Sequence, residues 1–143
     1  MENNLTLDEI ENWIKIVTTE FYEIVYQDAW FKEIFKVIKQ DQITSQQIDF
    51  MVGAFGGPQR FSGRMPGNAH PHIFIDEEMW EYREALLKQA FAKVNCPEFI
   101  QTKWLKIDNA FKRQIVMKSV DECQKRFFTD EIIVVPNPFK KSA

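Results

Sequence analysis

Residues 50–75 read FMVGAFGGPQRFSGRMPGNAHPHIFI, and this stretch decides how the chain is understood. An apolar, helix-like run enters Gly56-Gly57-Pro58. A polar loop follows, and His70 stands thirteen residues after Gly57, just before the next helix-like run. The chain has two histidines, His70 and His72, and both lie here. The arrangement offers a single imidazole nitrogen to a bound metal or haem.

Working outward, the pattern is helical nearly throughout. Thr6 with Glu9 three residues on reads as a capping box. Ile10, Trp13, Ile14, Val17, Phe21, Ile24 and Val25 then recur at helical spacing, which predicts a helix to about Gln27. A short helix is expected over 29–37 and a third over 44–55, where Gly56 and Gly57 end it. Pro58, Gly63, Pro66 and Gly67 make 58–69 a loop. Asp76 caps a predicted helix running to Val94. Pro97 opens a last one expected to reach about Phe127, and the tail DEIIVVPNPFKKSA carries one short extended apolar run. The expected organisation is one domain over 1–127 with a C-terminal tail over 128–143.

Composition narrows the function. The chain has 143 residues, 45 % of them hydrophobic, with thirteen Phe; that suits one domain with a real core or a large flat apolar cavity. A net charge of −3 without a basic stripe argues against nucleic-acid binding. Cys96 and Cys123 form no disulfide framework and no zinc motif. The N-terminal MENNLTLDEIENW lacks a basic start and an apolar run, and no window approaches the length of a membrane span. A cytoplasmic location is the default expectation.

Several elements occur together in order. Phe21-Tyr22 lies in FYEIV; Phe35 follows Tyr22 by thirteen residues; Gln47 comes next; then Gly56-Gly57-Pro58, Phe61-Ser62-Gly63-Arg64 and Ala69-His70. This ordered set resembles the truncated haemoglobin family, closest to its group I with some group III-like features, and it covers about residues 5–115. Phe61 to Arg64 stands for the family's Y-T-G-R element. The resemblance implies an all-α, truncated globin-like two-over-two helical sandwich around haem b (iron protoporphyrin IX). It makes His70 the proximal iron ligand, with Tyr22 and Gln47 facing the bound gas. Phe35, Ile43, Phe61 and Arg83 become cofactor-contacting residues.

The implied function is binding of diatomic ligands, oxygen and also nitric oxide, at an iron able to be five-coordinate. Oxygen transport or sensing, nitric oxide dioxygenation and peroxidase-like turnover are all compatible with it. No flavin or nicotinamide motif is present, so a reductase would be a separate protein. The alternative is a haem-free globin-like structural or protein-interaction domain.

The chain departs from the family pattern in places. Asn3-Asn4 stand about where an early glycine pair is usual. Pro66, with Met65 before it, replaces a Met four residues ahead of the histidine. Pro71 directly follows His70 and disfavours helical geometry there. Arg83 stands three after Trp80 and four before Leu87, on the apolar stripe of its helix. Four readings are open to it: a propionate partner, a donor to an anionic iron ligand, a sign that the haem is gone, or a snorkelling stem. Arg60 and Arg64 suit haem propionates or solvent equally. His72 is expected in a loop or surface role, and Tyr26 in plain packing.

Overall fold

The computed structural model describes residues 4–63 and 65–140. Six α-helices follow one another among them: α1 (Leu7–Gln27), α2 (Phe31–Phe35), α3 (Gln40–Ala54), α4 (Pro66–Ala69), α5 (Glu77–Lys93) and α6 (Glu98–Ile115), then a single 3-10 turn at Val120–Glu122. The all-α expectation holds. No strand forms among the described residues, and the one β-type pairing is an isolated parallel bridge between Ile73 and Ile133.

α1 begins as its sequence requires. The Thr6 hydroxyl accepts from the Glu9 amide at 3.1 Å, and the Thr6 amide donates to Glu9 Oε1 at 3.3 Å, so two of the orphan donors at a helix start are satisfied reciprocally. Its apolar stripe buries Ile14, Val17 and Val25 completely, and it packs against α2, α3 and α5. Asp28 then turns the chain. Its Oδ2 accepts from the amides of Trp30 at 3.0 Å and Phe31 at 2.9 Å, which starts α2.

α3 starts at Gln40, four residues before the expected Thr44. Thr44 is interior, its hydroxyl donating to the Gln40 carbonyl at 2.7 Å, so it does not cap this helix. α3 ends where the glycine pair predicts. Gly56 sits at φ +96°, a conformation that costs a residue with a Cβ strain, and its amide bonds the Gly53 carbonyl at 3.0 Å. α5 is capped by Asp76, whose Oδ1 accepts from the Met79 amide at 2.9 Å. Trp104 of α6, 2 % exposed, joins the elements: its ring centroid lies 5.9 Å from Phe91 of α5 and 6.2 Å from Phe55 at the end of α3.

The last helix stops at Ile115, well short of Phe127. Val116 turns extended, at ψ 133°, and the Met117 amide leaves the helix to bond the Ile75 carbonyl at 2.7 Å. The remaining chain, residues 117–140, runs back over the body as a strap. Ile133 and Val135 of its extended run are half-buried while Ile132 and Val134 are exposed, the two-residue alternation of extended chain. Trp30 Nε1 donates to the Val135 carbonyl at 3.0 Å. The Phe139 ring rests 5.6 Å from Tyr82, and Lys140 pairs with Glu78 at 3.1 Å.

Candidate ligand cavity

Between α1, α3, α5, α6 and the His70 loop lies a cavity of about 390 Å³. Tyr22, Phe35, Ile43, Gln47, Phe61, His70 and Arg83, the seven residues singled out from the sequence, all line it. Helical periodicity brings them there. Tyr22 lies on the buried face of α1, and Ile43 and Gln47 are one turn apart on α3. His70 is the residue at the C-terminal end of α4. α4 sits tightly against α6: a Cβ added to Gly67 would lie 3.2 Å from Gln114 Cβ.

The walls are mostly aromatic and apolar. The rings of Tyr22 and Tyr26 lie 6.0 and 5.6 Å from Phe35, and Phe50 stands 5.2 Å from Phe61 and 5.6 Å from Phe111. The two neighbouring tyrosines differ in use. Tyr26 donates its hydroxyl to the Ile38 carbonyl at 2.8 Å, a packing role as expected. Tyr22 is 6 % exposed, and its hydroxyl has no hydrogen-bond partner among the described residues. Burial pushes the Tyr22 phenol far above its ordinary range, against the pull of the Arg83 charge, so it is a neutral donor left facing the cavity. A buried donor without a partner calls for one.

Arg83 has found a partner that the sequence did not name. Its Nη1 lies 2.8 Å from Asp108 Oδ2 and 3.6 Å from Glu84 Oε2. Its guanidinium carbon sits 5.4 Å from the ring centroids of both Phe21 and Trp80, the geometry of cation–π contact. Burial alone would depress the Arg83 pKa, but the Asp108 carboxylate outweighs it and the group stays charged. Burial pushes the Glu84 carboxyl up, against the opposing pull of Arg83, and its Oε2 has no hydrogen bond. Asp108 also lines the cavity. The sequence carried a faint signal for it: an acid one turn after Trp104, on the buried stripe of α6.

Two further polar lining residues were not assigned to the site from the sequence. Gln46 reaches the cavity beside Gln47, and Arg126 enters from the strap. Arg60 is not among the lining residues; it pairs with Glu11 of α1 at 3.1 Å. Arg64 lies outside the described residues. His72 stands in the loop, one of its two expected places, and is 7 % exposed because the strap covers it. Burial and the nearby Arg126 charge hold its pKa below the usual range.

The donor set fits a haem. One imidazole among flat aromatic walls suits a metal whose in-plane ligands come with a macrocycle, and an unpaired phenol donor lies within the same cavity. No described helix is long and apolar enough to cross a membrane.

Comparison with known proteins agrees with this fold. A group 1 truncated hemoglobin from Tetrahymena pyriformis is 37 % identical over 60 residues, which is 42 % of this chain and 50 % of that protein; the match thus spans half the length of this curated relative. Crystal structures of the Tetrahymena pyriformis truncated hemoglobin in its Fe(III) form, and of two mutants in the same form, superpose with a TM-score of 0.69 at 21–22 % identity. Each superposition covers 80 % of this chain and 100 % of the other. At that identity the likeness is one of fold, the truncated globin sandwich. The family model for the bacterial-like globins matches residues 8–117, and the chain belongs to that family.

Proposed function

We propose that this globin holds haem b in the cavity described above and binds diatomic gases there, oxygen and also nitric oxide. The observation that carries the reading is the convergence on one cavity of His70, the aromatic walls and a Tyr22 hydroxyl that has no hydrogen-bond partner among the described residues. When bound, haem supplies an iron that takes up a diatomic ligand on its open side. Among the chain's own groups, His70 would hold the iron through an imidazole nitrogen. Phe35, Ile43 and Phe61, which line the cavity, would exclude water from around the bound group. The Tyr22 phenol, held neutral by burial, would donate toward partial negative charge on the guest, with Gln47 of α3, which lines the same cavity, assisting.

For this cavity we assign Arg83 a role on the gas-binding side. Tyr22 feels its charge directly, and Asp108 fixes the guanidinium with one of its nitrogens. An Arg side chain carries five N–H donors, so others remain for a guest with anionic character. Oxygen binding or sensing needs nothing more. Nitric oxide dioxygenation would draw electrons from a separate reductase.

Titrating the purified full-length chain with haemin tests the reading. The expected result is a sharp Soret band saturating at about one haem per chain. A colourless protein that takes up no haem would support the other reading, a haem-free interaction domain. The Arg83–Asp108 pair, which already balances the charge inside the cavity, favours that reading.

A further inference from the structure

His70 is followed at once by Pro71, which denies the next turn of helix its N–H and its geometry. The segment 70–75 therefore runs as loop, and its backbone polar groups need partners from elsewhere. The strap supplies them. The Gln124 amide donates to the Pro71 carbonyl at 2.7 Å, and the Ile133 amide to the His72 carbonyl at 2.8 Å. The Phe74 amide donates to the Ile133 carbonyl at 2.8 Å, and the Met117 amide to the Ile75 carbonyl at 2.7 Å. Arg126 completes the set. Its Nη1 donates to the Ala69 carbonyl at 3.3 Å, while Nε and Nη2 grip the two oxygens of Asp130 at 3.0 and 3.1 Å. That two-pronged pairing fixes the plane of the guanidinium.

The family model matches this chain to residue 117, and Gln124, Arg126, Asp130 and Ile133 lie beyond the matched residues. Arg126 nevertheless lines the cavity together with His70. The Ala69 carbonyl and the His70 amide belong to one planar peptide unit. A hydrogen bond to that carbonyl fixes the plane from which the His70 side chain projects.

We propose that Arg126, oriented by Asp130, is a positioning residue for His70, and that the strap takes the place of the helix which Pro71 forbids. The proposal rests on the reading of His70 as the axial ligand. Arg126 acts on His70 through the Ala69 carbonyl; it sets the direction and the stiffness of the imidazole.

The test uses full-length protein reconstituted with haem. Arg126→Met keeps length and removes both the carbonyl contact and the Asp130 pair. Asp130→Asn keeps the shape, loosens the grip, and serves if the first variant folds poorly. Lys140→Met, at the far end of the strap, is the control. Resonance Raman of the ferrous, ligand-free protein should show an iron–histidine band that shifts or broadens in Arg126→Met and Asp130→Asn but not in Lys140→Met. Haem release to an acceptor globin should quicken about tenfold, the scale set by one charge-assisted hydrogen bond. In the haem-free chain, amide exchange at Ile73 and Phe74 should rise by a similar factor, about tenfold. A wild-type band left unmoved by both variants, with haem release unchanged, overturns the positioning role alone. A wild-type chain with no iron–histidine band overturns the ligand reading and this proposal with it.

Discussion

Arg83 Nη1 and Asp108 Oδ2 lie 2.8 Å apart in the wall of the cavity, so α5 and α6 are joined by an ion pair inside the body of the molecule. The two side chains are 25 % and 8 % exposed, which makes the pair expensive to break from one side. Removing one member of a buried pair costs about 3–5 kcal/mol, because the other charge is left unpaired, whereas an apolar replacement of both is often neutral. Asp108→Leu should therefore lower the unfolding free energy of the haem-free chain by about that amount, toward the smaller end given the residual exposure. Adding Arg83→Met to an Asp108→Leu chain should recover most of the loss. Urea unfolding of the four proteins in the cycle measures this, and equal, additive losses would contradict it.

The same pair predicts ligand preference. Arg83→Met should weaken azide binding to the ferric protein by about tenfold or more, as loss of one charge-assisted contact requires, with haem retained. Faster haem loss at unchanged azide affinity would instead place Arg83 on a propionate. If neither changes, Arg83 serves only the packing of α5 on α6.

Tyr22 is the donor expected to slow the escape of oxygen. A hydrogen bond to a partly charged acceptor contributes about 1.5–3 kcal/mol, so Tyr22→Phe should speed oxygen dissociation about ten- to a hundredfold. Stopped-flow measurement on the ferrous protein decides. A rate within about twofold of wild type, too small for such a bond, would remove Tyr22 from the ligand's contacts.

Alkaline titration offers a check that needs no haem. Burial first of all raises the pKa of all three tyrosines, Tyr22, Tyr26 and Tyr82; at Tyr82, pushed up to about 12, the Asp28 carboxylate adds to it. The unfolded chain ionises its tyrosines near about 10 and so releases protons before the folded chain does. The stability these phenols contribute is thus complete below the unfolded value and is lost as pH climbs through the folded ones. Absorbance at the phenolate band should show little ionisation of the native chain at that pH, with about half of the signal of three tyrosines appearing at once on adding denaturant. A native step of full height there would contradict the burial of these side chains.

Local chemistry made much of this molecule legible. Thr6 with Glu9, the stripe from Ile10 to Val25, Asp76 and Gly56 each state a helix boundary in residues that touch one another along the chain. The family motifs located Tyr22, Gln47 and His70, which line one cavity because helical spacing carries them there. The end of α6 was not legible, since no glycine or proline marks Ile115. The helix stops there because Met117 finds Ile75 across the structure, and that contact has no local signature. Asp108 and Arg126 were hidden for the same reason: a charge on a helix stripe or in a tail takes its meaning from a partner distant in sequence. The burial of His72 within its loop was hidden because the strap that covers it begins more than forty residues later, at 117.

The central claim is that His70 binds the iron of a haem held in this cavity, and His70→Gly tests it most directly. Resonance Raman of the ferrous protein should show an iron–histidine band in the wild type and none in His70→Gly. Added free imidazole should restore a band to the variant by occupying the space the side chain left. An unchanged band and Soret spectrum in His70→Gly would contradict the account, because the axial nitrogen would then come from another residue.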